Sequence, residues 1–283
     1  MLDGYVLETR LADLHARLRD LGSVLVAFSG GADSAFLLAA AVRALGSERV
    51  LAATAVSDSL PAVELTAATE FAAGLGVTHL TPRTHEMERD GYRANAGNRC
   101  YFCKAELLDV LAPLAAAHGL AAVATGTNAD DARSAFRPGI RAASERGAVA
   151  PLRDSGLTKA QVRAASQRWG LRTWDKPAAA CLSSRIAYGL EISPARLARV
   201  ERAEAAAREA LSERGIPVRD LRVRDVGDTA QVEVDRDLVA VVAACAPVLA
   251  AVHSAGFAEV EIDPRGFRSG SMNEALTAPT AGG

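Results

Sequence analysis

The stretch Val24-Leu25-Val26-Ala27-Phe28-Ser29-Gly30-Gly31-Ala32-Asp33-Ser34 decides how the chain is read. A short apolar run breaks into Ser-Gly-Gly-Ala-Asp-Ser and then enters a helical pattern, which predicts a buried strand, a tight turn and a helix start. The two glycines let the backbone bend where a side chain would clash. Ser29 and Ser34 can donate to an anion at the helix N-terminus, where unpaired N–H groups and the positive end of the dipole face one point. A phosphate chain is the natural guest.

Neither the Gly-x4-Gly-Lys-Ser/Thr loop nor Gly-x-Gly-x-x-Gly is present in this turn, and the turn carries no lysine. It carries Asp33 instead. A carboxylate beside phosphate makes sense with a divalent cation between them, and Mg²⁺ typically uses one or two carboxylates together with phosphate oxygens. Ser-Gly-Gly-x-Asp-Ser after a strand resembles the PP-loop of the ATP pyrophosphatase superfamily, whose members cleave ATP to AMP and pyrophosphate while adenylating a substrate. A Gly-rich strand-to-helix turn without a ligand is the plainer alternative.

With 283 residues the chain has room for one large or two modest domains and a proper core. At 49% hydrophobic and 23% charged it is globular in composition, and a formal net charge of −2 offers no bulk attraction to a nucleic-acid backbone. Asp3, Glu8, Arg10 and Asp13 break up the N-terminal apolar residues, which argues against a secretory segment. The uncharged run 238–252, interrupted by Pro247, is too short for a spanning helix and reads as a buried one. A cytoplasmic protein with no membrane partner is expected, and its four cysteines then suit metal ligation, catalysis or core filling better than disulfides.

Leu7, Leu11, Leu14, Leu18 and Leu21 recur at helical spacing ahead of the first strand. A helix over 35–45 closes at Gly46, a strand covers 50–56, and Ser57-Asp58-Ser59 turns into a helix over 61–75. A strand at 77–80, a helix over 101–118 and a strand at 121–125 follow. This alternation predicts an α/β fold with a parallel, doubly wound sheet, in which ligands bind beyond the carboxyl ends of the strands. Ser29 to Ser34, Ser57 to Ser59 and Gly126-Thr127-Asn128-Ala129-Asp130-Asp131 therefore share one rim. Ser57 is placed to touch adenine or ribose. Asp130 and Asp131 either face metal-bound triphosphate or form an Asx-rich turn that caps a helix.

In Asn98-Arg99-Cys100-Tyr101-Phe102-Cys103-Lys104 two thiols share a helix face, and flanking Arg99 and Lys104 would favour thiolates. Alone, the pair is equally a redox couple, half of a zinc site or two buried cysteines. Residues 139–157 read as irregular and 158–169 as a helix with Lys159, Arg163 and Arg168 towards solvent. Cys181 lies in the small-residue loop Pro177-Ala-Ala-Ala-Cys-Leu-Ser-Ser-Arg185, which is either a reactive site or an ordinary loop with a buried thiol. From Ser193 the pattern changes to helix 194–213, strands 218–224 and 229–234, helix 236–253 with Cys245 in its core, and strand 257–262. A boundary near residue 190 is expected, giving an ATP-binding domain over 1–190, a smaller α+β domain for substrate binding and oligomerisation over 191–275, and a disordered tail over 276–283. Arg222 and Arg224 share one strand face with Glu233 available on the paired strand, a set suited to phosphate or carboxylate, or else a solvated face.

Ser29-Gly-Gly-Ala-Asp-Ser34, Asn98-Arg-Cys-Tyr-Phe-Cys-Lys104, Gly126-Thr-Asn-Ala-Asp-Asp131, Pro177-Ala-Ala-Ala-Cys-Leu-Ser-Ser-Arg185 and Gly266-Phe-Arg-Ser-Gly-Ser-Met-Asn-Glu274 together resemble the LarE family of ATP-dependent sulfur transferases over about residues 15–275. The resemblance implies adenylation of a carboxylate of pyridinium-3,5-biscarboxylic acid mononucleotide and its conversion to a thiocarboxylate for the nickel-pincer nucleotide. In one branch the cysteine matching Cys181 gives up its own sulfur and becomes dehydroalanine. In the other, cysteines matching Cys100, Cys103 and Cys181 hold a [4Fe-4S] cluster that carries a hydrosulfide. All three are present, so the chain resembles the cluster branch.

By the same resemblance Ser29, Gly30, Gly31, Ser34, Gly126 and Asp33 with Mg²⁺ hold ATP and its departing pyrophosphate. Cys181 and Arg185, with Ser184, act at the adenylate, and Arg222 and Arg224 hold the substrate phosphate. Sulfide or a sulfur donor is an implied partner, and a homo-oligomer is expected. Where the family has Gly-Asp-Tyr after Asp131, this chain has Ala132-Arg133-Ser134-Ala135-Phe136, which puts any role for that acid and phenol in doubt. A tRNA acceptor on the same fold would need a basic groove. A nucleotide sensor with a three-cysteine zinc site is the reading without chemistry.

Overall fold

The computed structural model describes residues 2–133, 138–177, 180–268 and 270–274. In chain order the elements are α1 (Leu2–Leu21), β1 (Val24–Ala27), α2 (Ala32–Leu45), β2 (Val50–Ala53), α3 (Ala62–Gly74), β3 (Thr78–Leu80), α4 (Asp90–Arg93), α5 (Arg99–Ala117), β4 (Ala122–Thr125), α6 (Ala129–Arg133), α7 (Pro138–Glu145), α8 (Pro151–Asp154), α9 (Lys159–Arg168), α10 (Pro194–Ser212), β5 (Leu221–Asp225), β6 (Thr229–Val234), α11 (Val239–Ala243), α12 (Ala246–Ser254) and β7 (Glu259–Ile262). They fall into two compact units, Met1–Glu86 with Cys100–Ala179, and Met87–Arg99 with Ala180–Gly283. The tail 276–283 and the departure at Ser134 to Phe136 lie outside the described residues.

In the first unit every residue of β1 is buried, as a strand covered on both faces requires. Val24 and Val26 pack with α1, α2, α3 and α9 in one core. Leu25 and Ala27 pack with Leu108, Leu111 and Ala115 of α5 in another. The sheet runs β3-β2-β1-β4 with all strands parallel, as the alternation predicts. Ala27 stands opposite both Ala53 and Thr125, and Ala53 opposite Leu80, so the four carboxyl ends are level and the loops beyond them open from one rim. Chain from β1 passes to one neighbour and later returns on the other side, which makes this rim the switch point where such sheets bind ligands.

Three local expectations change. β2 ends at Ala53, the Thr54 hydroxyl donates to the Phe28 carbonyl (2.7 Å), and Val56 forms an isolated bridge to Arg83. Residues 139–157 hold α7 and α8, whose buried faces are only two residues wide, Ala142 with Ala143 and Pro151 with Leu152, too short for periodicity to reveal. Lys159 and Arg163 of α9 are half-buried instead of standing wholly in solvent. Lys159 pairs with Asp33, and Arg163 donates to the Lys176 carbonyl (3.0 Å).

In the second unit α10 is capped by Ser193, whose Oγ accepts from Arg196 N (3.3 Å), with Pro194 opening the helix as expected. β5 pairs antiparallel with β6, and β6 parallel with β7. The single helix expected over 236–253 is broken, and the stretches Arg236–Ala243 and Ala246–Ser254 lie at 86° to each other. Pro247 lacks the N–H that would continue the first helix and suits the first turn of the second, so Cys245 becomes an N-cap, half-buried at the bend instead of in the core. No single helix among the described residues is long and apolar enough to cross a membrane.

Candidate functional site

In the first unit the Ser29-to-Ser34 turn bends through Gly30 at φ +69°, a conformation that favours glycine, with a Cβ there 3.4 Å from the Ala68 methyl. Ser34 Oγ donates to the Gly31 carbonyl (3.1 Å) and accepts from Ser29 N (3.3 Å), and the Ser29 and Ser34 hydroxyls are 3.1 Å apart. This pins the turn against the start of α2. Gly126 closes the other wall, where a Cβ would lie 2.8 Å from Ser34 N and 3.0 Å from Ser34 Cα. Only glycine lets the loop after β4 come this near the helix N-terminus.

Asp33 stands on the first turn of α2. Its Oδ2 takes an ion pair from Lys159 Nζ, while its Oδ1 is buried and makes no hydrogen bond. A buried bare carboxylate oxygen is costly unless a donor or cation completes it. The donor set at this helix N-terminus therefore fits Mg²⁺ with phosphate. Two lysines that the turn itself lacks arrive from later in the chain: Lys159 on Asp33, and Lys176, whose Nζ donates to the Gly30 carbonyl (3.0 Å) and to Glu64 Oε2 (2.7 Å).

The other rim loops are tied by their own bonds. Ser57 Oγ and Ser59 Oγ both donate to buried Glu86 Oε1 (2.5 and 3.0 Å). Asn128 Oδ1 accepts from the N–H groups of Asp130 and Asp131 (2.9 and 3.1 Å), which makes this the Asx turn capping α6. Asp130 Oδ2 in turn accepts from Lys159 N (2.8 Å) at the start of α9, so Lys159 joins Asp33 to Asp130.

In the second unit Cys181 precedes the 3-10 turn Leu182–Arg185 and is a half-buried free thiol. Its carbonyl accepts from Ser184 Oγ (2.7 Å), Ser184 N (3.0 Å) and Arg185 Nη1 (3.1 Å). Arg185 is itself 3% exposed and held by both carboxylate oxygens of Glu204 (2.9 and 3.3 Å). Glu204 Oε1 also accepts from Val223 N (3.1 Å), so one acid on α10 fixes both the cysteine turn and β5. Arg185 and Ser184 both hold the Cys181 backbone.

Arg222 and Arg224 are both buried, so their strand face is not a solvated one. Arg224 pairs with Glu233 Oε2 (2.7 Å), donates to the Ser184 carbonyl (3.2 Å) and reaches Ser271 Oγ (3.2 Å), whose hydroxyl donates to Glu233 Oε1 (2.8 Å). Arg222 lies 5.3 Å from the Phe267 ring centroid. Burial pushes its guanidinium down to about 10, with Arg185, Arg208 and Arg224 adding repulsion and Glu204 opposing them. Three guanidinium groups, Arg185, Arg222 and Arg224, are thus buried close to one another beside Glu204 and Glu233, a setting that suits an anion.

Cys100 is exposed and Cys103 half-buried on α5 in the first unit, whereas Cys181 belongs to the second. Burial lowers the Lys104 ammonium pKa, with the Cys103 thiol opposing. Arg99 donates to Asn95 Oδ1 (2.5 Å) and to the Ser183 carbonyl (2.8 Å). Among the described residues no three His, Cys, Asp or Glu side chains are gathered so as to hold a metal ion.

Lys159, Lys176 and Glu204 were not singled out as site residues. For Lys159 a signal existed: a lysine directly after the Thr158 cap opposes the helix dipole, and a locally unfavourable charge often marks a site. Nothing local marks Glu204 among the other acids of α10.

The parallel sheet, the Gly-Gly turn and the acid at the helix N-terminus define an α/β fold of the PP-loop class. No protein-family model matches the chain. It is 40% identical over 275 residues to an uncharacterised protein of Synechocystis sp., covering 96% of this chain and 100% of that protein. It is 35% identical over 272 residues to the pyridinium-3,5-bisthiocarboxylic acid mononucleotide synthase of Lactiplantibacillus plantarum, covering 96% of each. A shorter match, 32% over 147 residues, reaches 49% of this chain and 37% of the argininosuccinate synthase of Halobacterium salinarum. The chain belongs to the family of the Lactiplantibacillus synthase, the LarE family.

Proposed function

We propose that the chain is an ATP-dependent sulfur transferase that adenylates a carboxylate of pyridinium-3,5-biscarboxylic acid mononucleotide, releases pyrophosphate and then AMP, and delivers the thiocarboxylate used for nickel-pincer nucleotide synthesis. The observation that carries it is the bare, buried Oδ1 of Asp33 at the N-terminus of α2. The relative's name supplies the substrate.

Mg²⁺, held by Asp33, would neutralise the triphosphate and make pyrophosphate a better leaving group. The N–H groups of the first turn of α2 and the ammonium of Lys159 meet the phosphate oxygens. A carboxylate oxygen of the substrate attacks the α-phosphorus, and AMP becomes the leaving group of an activated acyl. Arg222 and Arg224, side by side on one face of β5, hold the phosphate of the mononucleotide. Cys181 supplies the sulfur: its thiolate displaces AMP to form a thioester, loss of its Cα proton breaks the Cβ–Sγ bond, and thiocarboxylate leaves with dehydroalanine at 181.

Incubation with ATP, Mg²⁺ and the biscarboxylic mononucleotide tests both halves by chromatography and mass spectrometry. One AMP per thiocarboxylate is expected, with Asp33→Asn reducing AMP formation about a hundredfold. After one turnover the chain should be lighter by the elements of hydrogen sulfide at Cys181. Thiocarboxylate formed with Cys181 intact would assign the sulfur to another source, and ATP left uncleaved would overturn the activity itself.

A further inference from the structure

We propose that Tyr92, Asn95 and Arg99 form a polar clamp that positions the Cys181 turn for sulfur transfer, an inference that rests on the activity proposed above. Asn95 is fully buried and, at φ +50°, is the non-glycine residue with positive φ among the described residues. Its two amide hydrogens are shared among the carbonyls of Ala187 (2.8 Å), Leu190 (2.9 Å) and Ile186 (3.3 Å). Its Oδ1 accepts from Arg99 Nη1, and Arg99, 4% exposed, also grips the Ser183 carbonyl and lies 5.5 Å from the Tyr188 ring centroid. Tyr92, 1% exposed, places its Oη 2.5 Å from Ser183 Oγ.

Ser183 is thus held at its hydroxyl by Tyr92 and at its carbonyl by Arg99, two residues from Cys181. On the other side Arg185 and Ser184 hold the Cys181 carbonyl. Residues 183–190 are therefore fixed from both faces by groups that touch no reacting atom. A left-handed asparagine is uncommon and unfavourable, and such conformations persist where the surroundings over-determine them, often beside functional groups. Effective nucleophilic attack needs the thiol within a narrow range of position, and a small displacement by a distant change is costly. The clamp supplies that constraint.

Asn95→Gly keeps the backbone conformation while deleting all four side-chain bonds, and Tyr92→Phe deletes one. With ATP, Mg²⁺ and the mononucleotide, pyrophosphate release by Asn95→Gly should stay within about twofold of wild type while thiocarboxylate yield per pyrophosphate falls about tenfold or more. Tyr92→Phe should shift the same ratio less. Iodoacetamide labelling of Cys181, read by peptide mass spectrometry without substrate, should be several-fold faster in both variants. A purely structural role would lower both partial reactions together and leave their ratio and the labelling rate unmoved, which overturns the clamp. If Asn95→Gly does not fold, Tyr92→Phe decides alone on the same two readouts. If wild type makes no thiocarboxylate, the proposed activity fails, and unchanged labelling would separately sink the clamp.

Discussion

Lys159 and Arg222 are single side chains on which each half of the proposed chemistry can be tested. Lys159 stands at the first position of α9, where a helix dipole disfavours a cation, yet it is held on Asp33. Replacing it by Met removes a cation beside the phosphates without touching the turn. We expect pyrophosphate formation to fall about ten- to a hundredfold in Lys159→Met. An unchanged rate would make Lys159 no more than a counter-charge for Asp33. Arg222 carries the opposite lesson. Its pKa is lowered by burial to about 10, so below that value the folded chain bears a penalty that is relieved only as pH rises above about 10. Arg222→Met should therefore raise the melting temperature of the ligand-free protein while abolishing mononucleotide binding, checked by thermal melts with and without the mononucleotide. A variant that melts lower would show that Arg222 stabilises the free fold.

At the scale of elements, the site depends on how closely the β4 loop lies on the start of α2. Gly126→Ala puts a carbon 2.8 Å from Ser34 N and 3.1 Å from the Asp33 carbonyl carbon, so one of the two backbones must move. A loss of about 1–3 kcal/mol in denaturant unfolding is expected, together with weaker ATP binding. Full ATP affinity would mean that this approach serves packing alone. The sheet and its helices also lower the pKa of two histidines. Burial lowers His79 on β3, and burial with Arg19 and Arg43 lowers His15, which stacks on Trp169 at 5.9 Å. Both are bases with depressed folded pKa values, so the unfolded chain takes up protons first as pH falls below 6.5 and stability drops from there. Melting midpoints should fall between about pH 7.5 and pH 5.5, and fall less in His15→Gln/His79→Gln. Equal slopes in the two proteins would assign the pH dependence to other groups.

At the scale of the whole molecule, two units carry separable tasks: one holds the nucleotide loop, the other the cysteine turn and the arginine cluster. Glu204→Gln leaves buried Arg185 without its carboxylate. It should cost about 3–5 kcal/mol of stability. Where it remains folded, its affinity for ATP, measured by equilibrium dialysis, should match wild type while mononucleotide binding is lost. Simultaneous loss of both ligands from a folded variant would show that the two tasks are not separable. The segment 87–99 reinforces the division, since it leaves the nucleotide unit to join the cysteine turn through Asn95 and Arg99.

The amino-acid sequence by itself determined the alternation of strands and helices, the Gly-Gly-Ala-Asp turn, the Ser193–Pro194 helix start and the glycine at the end of α2. Each is written in contacts a few residues long, through side-chain period and turn chemistry. It misjudged 139–157, where the buried faces are too short to show a period, and 236–253, where Pro247 restarts a helix instead of lying within one. Only the tertiary structure decided which charges meet. Lys159 reaches Asp33 across 126 residues and Lys176 reaches Gly30 across 146, Arg185 turns to Glu204, and Arg99 reaches Ser183 across 84. Those pairings follow from desolvation: a buried ion or amide takes whatever partner the packed chain brings within hydrogen-bond reach, and local sequence does not encode that partner.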